Sequence, residues 1–145
     1  MSDSLDRARS HRAGLRAAIG AVESSLASPA PGRAAAWSHE LRLQLEDLSA
    51  ALDQHVAITE GEDGLLADII QVAPRLARRV QLAQQDHRRL RRELDAALAA
   101  VPTEDEGVAG VRDQVVAVLS GLVRHRQAGA DMVYEAYNVD IEAGD

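Results

Sequence analysis

The sequence predicts an all-α fold: an up-down-up-down antiparallel four-helix bundle with a short extra helical segment between the second and third helices. Three observations predict it. The chain is rich in Ala, Leu, Arg and Glu and poor in strand formers; Phe is absent, and Trp37, Tyr134 and Tyr137 are the only aromatics. Apolar residues recur at steps of three and four along four long stretches, the period of a helix that buries one face. Short Pro- and Gly-bearing segments separate those stretches: SPAPGR at Ser28–Arg33, EGEDG at Glu60–Gly64 and PTEDEG at Pro102–Gly107. A chain of 145 residues is long enough for one domain with a real core. The bundle is expected over 1–137, with a short acidic tail over 138–145.

The first helix is expected from about Asp3 to Ala27, with Leu5, Ala8, Leu15, Ile19, Val22 and Leu26 on its stripe. The second spans roughly Arg33 to Thr59, where Trp37, Leu41, Leu45, Leu48 and Leu52 keep the same spacing. Leu65–Val72 reads as a turn or two of helix crossing the end of the bundle. Pro74 suits the first position of the third helix, where its missing N–H costs nothing. Leu76, Val80, Ala83, Leu90, Leu94, Ala97 and Val101 follow as its stripe. The fourth runs from about Val108 to Tyr137 on Val111, Val115, Val118, Leu122, Gly129, Met132 and Ala136. Gly129 inside a helix costs about 1 kcal/mol against Ala and points to a close approach there, of a ligand or a helix. Tyr134 and Tyr137 are read as packing that end with wet hydroxyls.

Several function classes are disfavoured. Net charge is −7 with both signs interspersed, which argues against nucleic acid as a partner. The run Arg88–Arg92 is flanked by Asp86, Glu93 and Asp95 and reads as a solvated helix face. Without Cys there is neither disulfide nor thiol nucleophile. No apolar run is long enough to span a membrane, and the N-terminus lacks a signal-peptide core, so a cytoplasmic protein is expected. Neither a Gly-rich phosphate loop nor a Ser/His/Asp arrangement is present, which disfavours kinase and hydrolase chemistry.

The histidines carry the functional signal. His55 stands where the stripe of Leu41–Leu52 calls for hydrocarbon. His11 lies between Ala8 and Leu15, His87 between Ala83 and Leu90, and His125 between Leu122 and Gly129, each at three and four. His39 is about 200° from Trp37 and Leu41 and is expected at the surface. HRAGLRAAI from His11 resembles HRRLRREL from His87, and LSAALDQH resembles LSGLVRH, as if a helical hairpin with two histidines had been duplicated. Counting from each turn puts His11 and His55 within about 7–8 Å of one level, and His87 and His125 within about 4–5 Å. Buried imidazoles without partners are costly, whereas neutral rings facing one centre suit a borderline metal ion.

With two hairpins and one histidine per helix, the pattern from His11 to about Tyr137 resembles the hemerythrin-like family of cation-binding four-helix bundles. That family carries a histidine on its first and third helices and a histidine followed by an acid on its second and fourth. The resemblance implies a non-haem di-iron centre that handles dioxygen, nitric oxide or peroxide, or senses iron or oxygen; charge and the lack of an apolar span, not the resemblance, argue against nucleic-acid and membrane partners. Its metal ligands would be His11, His55, Glu60, His87 and His125. Glu60 follows His55 by five residues, and Glu62 would return to that face if helix survived Gly61. The fourth helix departs from the pattern: Gly129 and Ala130 stand where an acid belongs, and Asp131 and Glu135 project about 80–120° away. One metal instead of two, zinc instead of iron, or an empty site all stay open. The rival readings are a metal-free interaction module that has lost its acids, and a haem or small-molecule binder using opposed histidines.

Overall fold

The structure, a computed structural model, describes residues 2–28, 30–102 and 107–139. Among these every regular element is helical. α1 is Ser2–Ala27, α2 Ala34–Glu60, α3 Leu65–Val72, α4 Ala77–Ala100 and α5 Val108–Tyr134. A 3-10 turn, Pro74–Leu76, leads into α4, and a π turn, Glu135–Val139, closes α5. Four long helices and one short one follow the hydrophobic period to within a residue or two, except that the third long helix opens as the 3-10 turn and becomes α-helical only three residues after Pro74, and the fourth widens into the π turn three residues before its expected end. Pro29, residues 103–106 of the third connection and the acidic tail beyond 139 lie outside the described residues. Among the described residues no helix is long and apolar enough to cross a membrane.

The stripes bury as their spacing requires. Leu41, Leu45, Leu48 and Leu52 of α2 are fully buried, as are Leu90 and Leu94 of α4 and Val115 of α5. Each such side chain contributes roughly 1.5–3 kcal/mol of transfer free energy. α1 packs on α2, α4 on α5, and α2 on α4. Trp37, at the start of α2, is sealed at the end of α1: its Nε1–H donates to the Ser25 carbonyl at 2.8 Å. The Arg112 guanidinium lies 5.2 Å from the Trp37 ring centre and donates to the Ser28 carbonyl at 2.8 Å. Arg91, expected on a solvated face, is half-buried and reaches from α4 to Asp53 and to Ser49 Oγ, 2.6 Å away, on α2.

The apolar interior is divided in two. The larger cluster holds the Leu ladder of α2, Leu90 and Leu94 of α4, and Val111–Leu122 of α5. The smaller one joins Ala8, Leu65, Leu66, Ile69, Val80 and Met132 at the end covered by α3. His55 follows Leu52, His87 precedes Leu90 and His125 follows Leu122, so the three histidines occupy the level between the clusters. Tyr134 is exposed, but Tyr137 is buried in the smaller cluster and its hydroxyl lacks a hydrogen-bond partner there, contrary to the expectation of wet hydroxyls. Burial first, and Asp68 second, raise its pKa.

Candidate metal centre

Three of the four expected histidines meet. One donor nitrogen from each of His55, His87 and His125 lies within 4.8 Å of the other two. Ring centres are 5.1 Å apart for His55 and His87, 5.6 Å for His55 and His125, and 4.5 Å for His87 and His125. His87 and His125 are buried, and His55 is half-buried.

His11 does not join them. It lines an outer groove between α1 and α2 beside Asp47, Ala50 and Gln54. The residue that α1 turns toward the histidines is Arg12. At 100° per residue, His11 and Arg12 lie about 50° to either side of the direction shared by Ala8 and Leu15. Periodicity therefore could not separate them. His39 is exposed, as expected.

Glu60 is held differently from the expected ligand. Its Oε2 accepts from His87 Nδ1 at 2.5 Å, while His87 Nε2 faces His125 Nε2 at 2.9 Å. The carboxylate thus stands behind the ring instead of beside it at the common centre. Asp86, expected on the solvated face of the arginine run, does the same more loosely for His125 Nδ1 at 3.4 Å. The signal for it was present: an acid next to His87 on α4 can reach the facing helix.

Counting hydrogens shows what this arrangement lacks. Two neutral imidazoles carry two N–H groups. The contacts Glu60–His87, His87–His125 and Asp86–His125 need three. The deficit is one positive charge, supplied by a proton or by a metal ion between the Nε2 atoms. A proton is disfavoured, because burial and then His87 lower the His125 pKa against the opposing pull of Asp86. His55 is pushed down to about 3 by burial first, then by His87, His125, Arg12 and His11. Neutral imidazoles, two of them oriented by carboxylates, are a donor set for zinc, iron, copper or nickel.

The donors fit one ion and not two. Asp131 accepts from Gln127, Glu135 pairs with Arg79 and Arg75, and Glu60 and Asp86 sit behind rings. No carboxylate among the described residues joins the three histidines in one ligand cluster, as a bridge to a second metal would have to. Haem does not fit either, because the cavity beside the rings measures about 50 Å³, several-fold below the roughly 300 Å³ at which pockets for larger ligands begin.

Gly129 lines both that cavity and an outer groove of about 120 Å³ between α4 and α5. Of the two expectations for it, close approach of a helix or of a ligand, the first fails: nothing lies within 4 Å of where its Cβ would be, and it leaves open space beside the cavity. Gly129→Ala should therefore stabilise α5 by about 0.5–1 kcal/mol. A urea melt checks this, and a destabilised variant would mean the space is filled.

Comparison with family models, curated proteins and solved structures finds no match to this chain.

Proposed function

We propose that the protein binds one transition-metal ion, zinc or iron, through His55, His87 and His125, and presents that ion's open side to a small ligand in the adjoining cavity. The observation that carries this reading is the pair of Nε2 atoms 2.9 Å apart, each on a ring whose Nδ1 is turned to a carboxylate. When bound, the ion would supply Lewis acidity or redox capacity at the cavity wall. The chain's own work is to keep His55 and His125 neutral by burial, to orient His87 and His125 through Glu60 and Asp86, and to exclude bulk water with the apolar side chains of α3.

The reading keeps the likeness to hemerythrin-like proteins as its source for the ligand class: dioxygen, nitric oxide or peroxide, all small enough for the cavity. It takes the four long helices as an up-down-up-down antiparallel bundle. Supporting this are the contacts of Trp37 with Ser25, of Arg91 with Ser49, and of Arg42 with the Val101 carbonyl. It replaces the expected five-ligand di-iron centre with a single ion held by three histidines.

Metal analysis of protein from iron- and zinc-supplemented medium, with competition against a chromophoric chelator, tests it. One equivalent is expected. His87→Ala should abolish binding, and Glu60→Gln should weaken it by about tenfold, the usual effect of removing a carboxylate behind a ligand histidine. A loading far below one equivalent from both media would leave the metal-free interaction module as the better account.

A further inference from the structure

Six arginines are half-buried among the described residues: Arg12, Arg42, Arg79, Arg91, Arg112 and Arg126. Four of them have partners. Arg42 donates to the Val101 carbonyl, Arg79 pairs with Glu135, Arg91 with Asp53 and Ser49, and Arg112 donates to the Ser28 carbonyl. The remaining two, Arg12 on α1 and Arg126 on α5, have no hydrogen bond or ion pair among the described residues. Both line the cavity that holds the three histidines. The Arg12 charge is disfavoured there by burial first, and then by Arg9, Arg16 and Arg126. Two half-buried guanidinium groups with no partner among the described residues, set at the wall of one cavity beside three imidazoles, leave N–H donors that an anion entering from solvent can take up.

We propose that Arg12 and Arg126 make this cavity a receptor for a small planar oxyanion: formate, nitrite or bicarbonate. The guanidinium fork presents parallel N–H groups that match two oxygens of one anion, which an ammonium does not. A cavity of about 50 Å³ holds about three or four non-hydrogen atoms, taking about 10–15 Å³ for each water-sized body. The inference adds a charged ligand to the dioxygen, nitric oxide or peroxide of the metal-site reading, and rests on that reading only for the anion's inner end, beside the histidines. Among ligands small enough to enter, the arginines select for charge and for paired oxygens.

Calorimetric titration of sodium formate, sodium nitrite and uncharged formamide into the protein, zinc-loaded and metal-free, tests the assignment. Formate and nitrite should bind at least tenfold more tightly than formamide. Arg12→Gln and Arg126→Gln should each weaken formate about tenfold, the range expected for one charge-assisted contact, with zinc affinity equal or raised. Arg126→Lys should fall between. Formamide binding as well as formate to wild-type protein overturns the proposal, and this arm needs no variant to fold. So does formate binding that neither substitution to Gln changes. If zinc does not bind but metal-free protein takes up formate through the arginines, the metal reading fails and this one stands; if zinc binds and formate does not, the reverse holds.

Discussion

Metal-free protein should lose stability steeply as the pH falls below about 6.5. The sign follows from His55, whose pKa drops from 6.5 to about 3 on folding because its ring is taken out of water and set against two others. The unfolded chain takes up a proton as the pH passes 6.5, whereas the folded chain resists until near 3. The contribution of the neutral ring is thus intact above 6.5 and is lost progressively on the way down, at about 1.4 kcal/mol per pH unit. Carboxylates begin to titrate below about pH 4.5, so the window from 6.5 to 4.5 isolates the effect at roughly 2–3 kcal/mol. His125, lowered in the same direction, steepens it. Urea unfolding of chelator-treated protein at half-unit steps measures the slope, and His55→Leu should flatten it. A midpoint unchanged between pH 7 and 5 would show that the rings are not desolvated. One equivalent of zinc should raise the midpoint at pH 7 and lose its effect as protons compete for the same nitrogens.

The fold was legible because the helical stripes and the breaks between them agree at every level. Leu41, Leu45, Leu48 and Leu52 could face only one side, and Gly61 and Gly64 could only interrupt. Even the short segment Leu65–Val72 was placed to the residue, since Gly64 before it and Pro74 after it leave little freedom. The π turn at Glu135 was not legible. It depends on Arg75 and Arg79 drawing Glu135 toward α4, and a period of 3.6 carries no record of a distant ion pair.

The site was legible in part, for reasons that differ residue by residue. His55, His87 and His125 each fill a slot in a stripe whose neighbours are unambiguous, and all three turn inward. At His11 the stripe has two equivalent slots, and the expectation of His11 inside takes only one of them. Arg12 fills the inner slot, at the wall of the cavity, and His11 lines the outer groove. Glu60 entered through the family resemblance, as the acid five residues after His55, yet it serves His87 on another helix, a pairing only tertiary packing creates. Asp86 was hidden among arginines, where its bridge to Arg89 is also made.

Gly64→Ala should destabilise the protein by about 2–3 kcal/mol and weaken metal binding with it. The backbone at Gly64 is ordinary, with φ −84° and ψ 171°, so the demand is for space. A Cβ there would lie 2.6 Å from the Ile58 carbonyl oxygen, 2.7 Å from that of Thr59 and 2.8 Å from that of Gly61. All three are backbone atoms that cannot swing aside, so the turn itself must open, at a cost in the usual overpacking range of about 1–3 kcal/mol or slightly above. Two things depend on that turn. It starts α3, whose Leu65, Leu66 and Ile69 wall the cavity. It also fixes the last turn of α2, where the Thr59 hydroxyl donates to the His55 carbonyl at 2.8 Å and Glu60 holds His87. Displacing this segment should move His55 and Glu60 together, so zinc affinity should fall about tenfold, as when a supporting carboxylate is lost. Gly14→Ala, where nothing lies within 4 Å, is the matched control and should stabilise slightly. Thermal melts and zinc titrations of the two variants decide it: if Gly64→Ala melts with wild type and binds zinc as tightly, the turn does not set the histidine level.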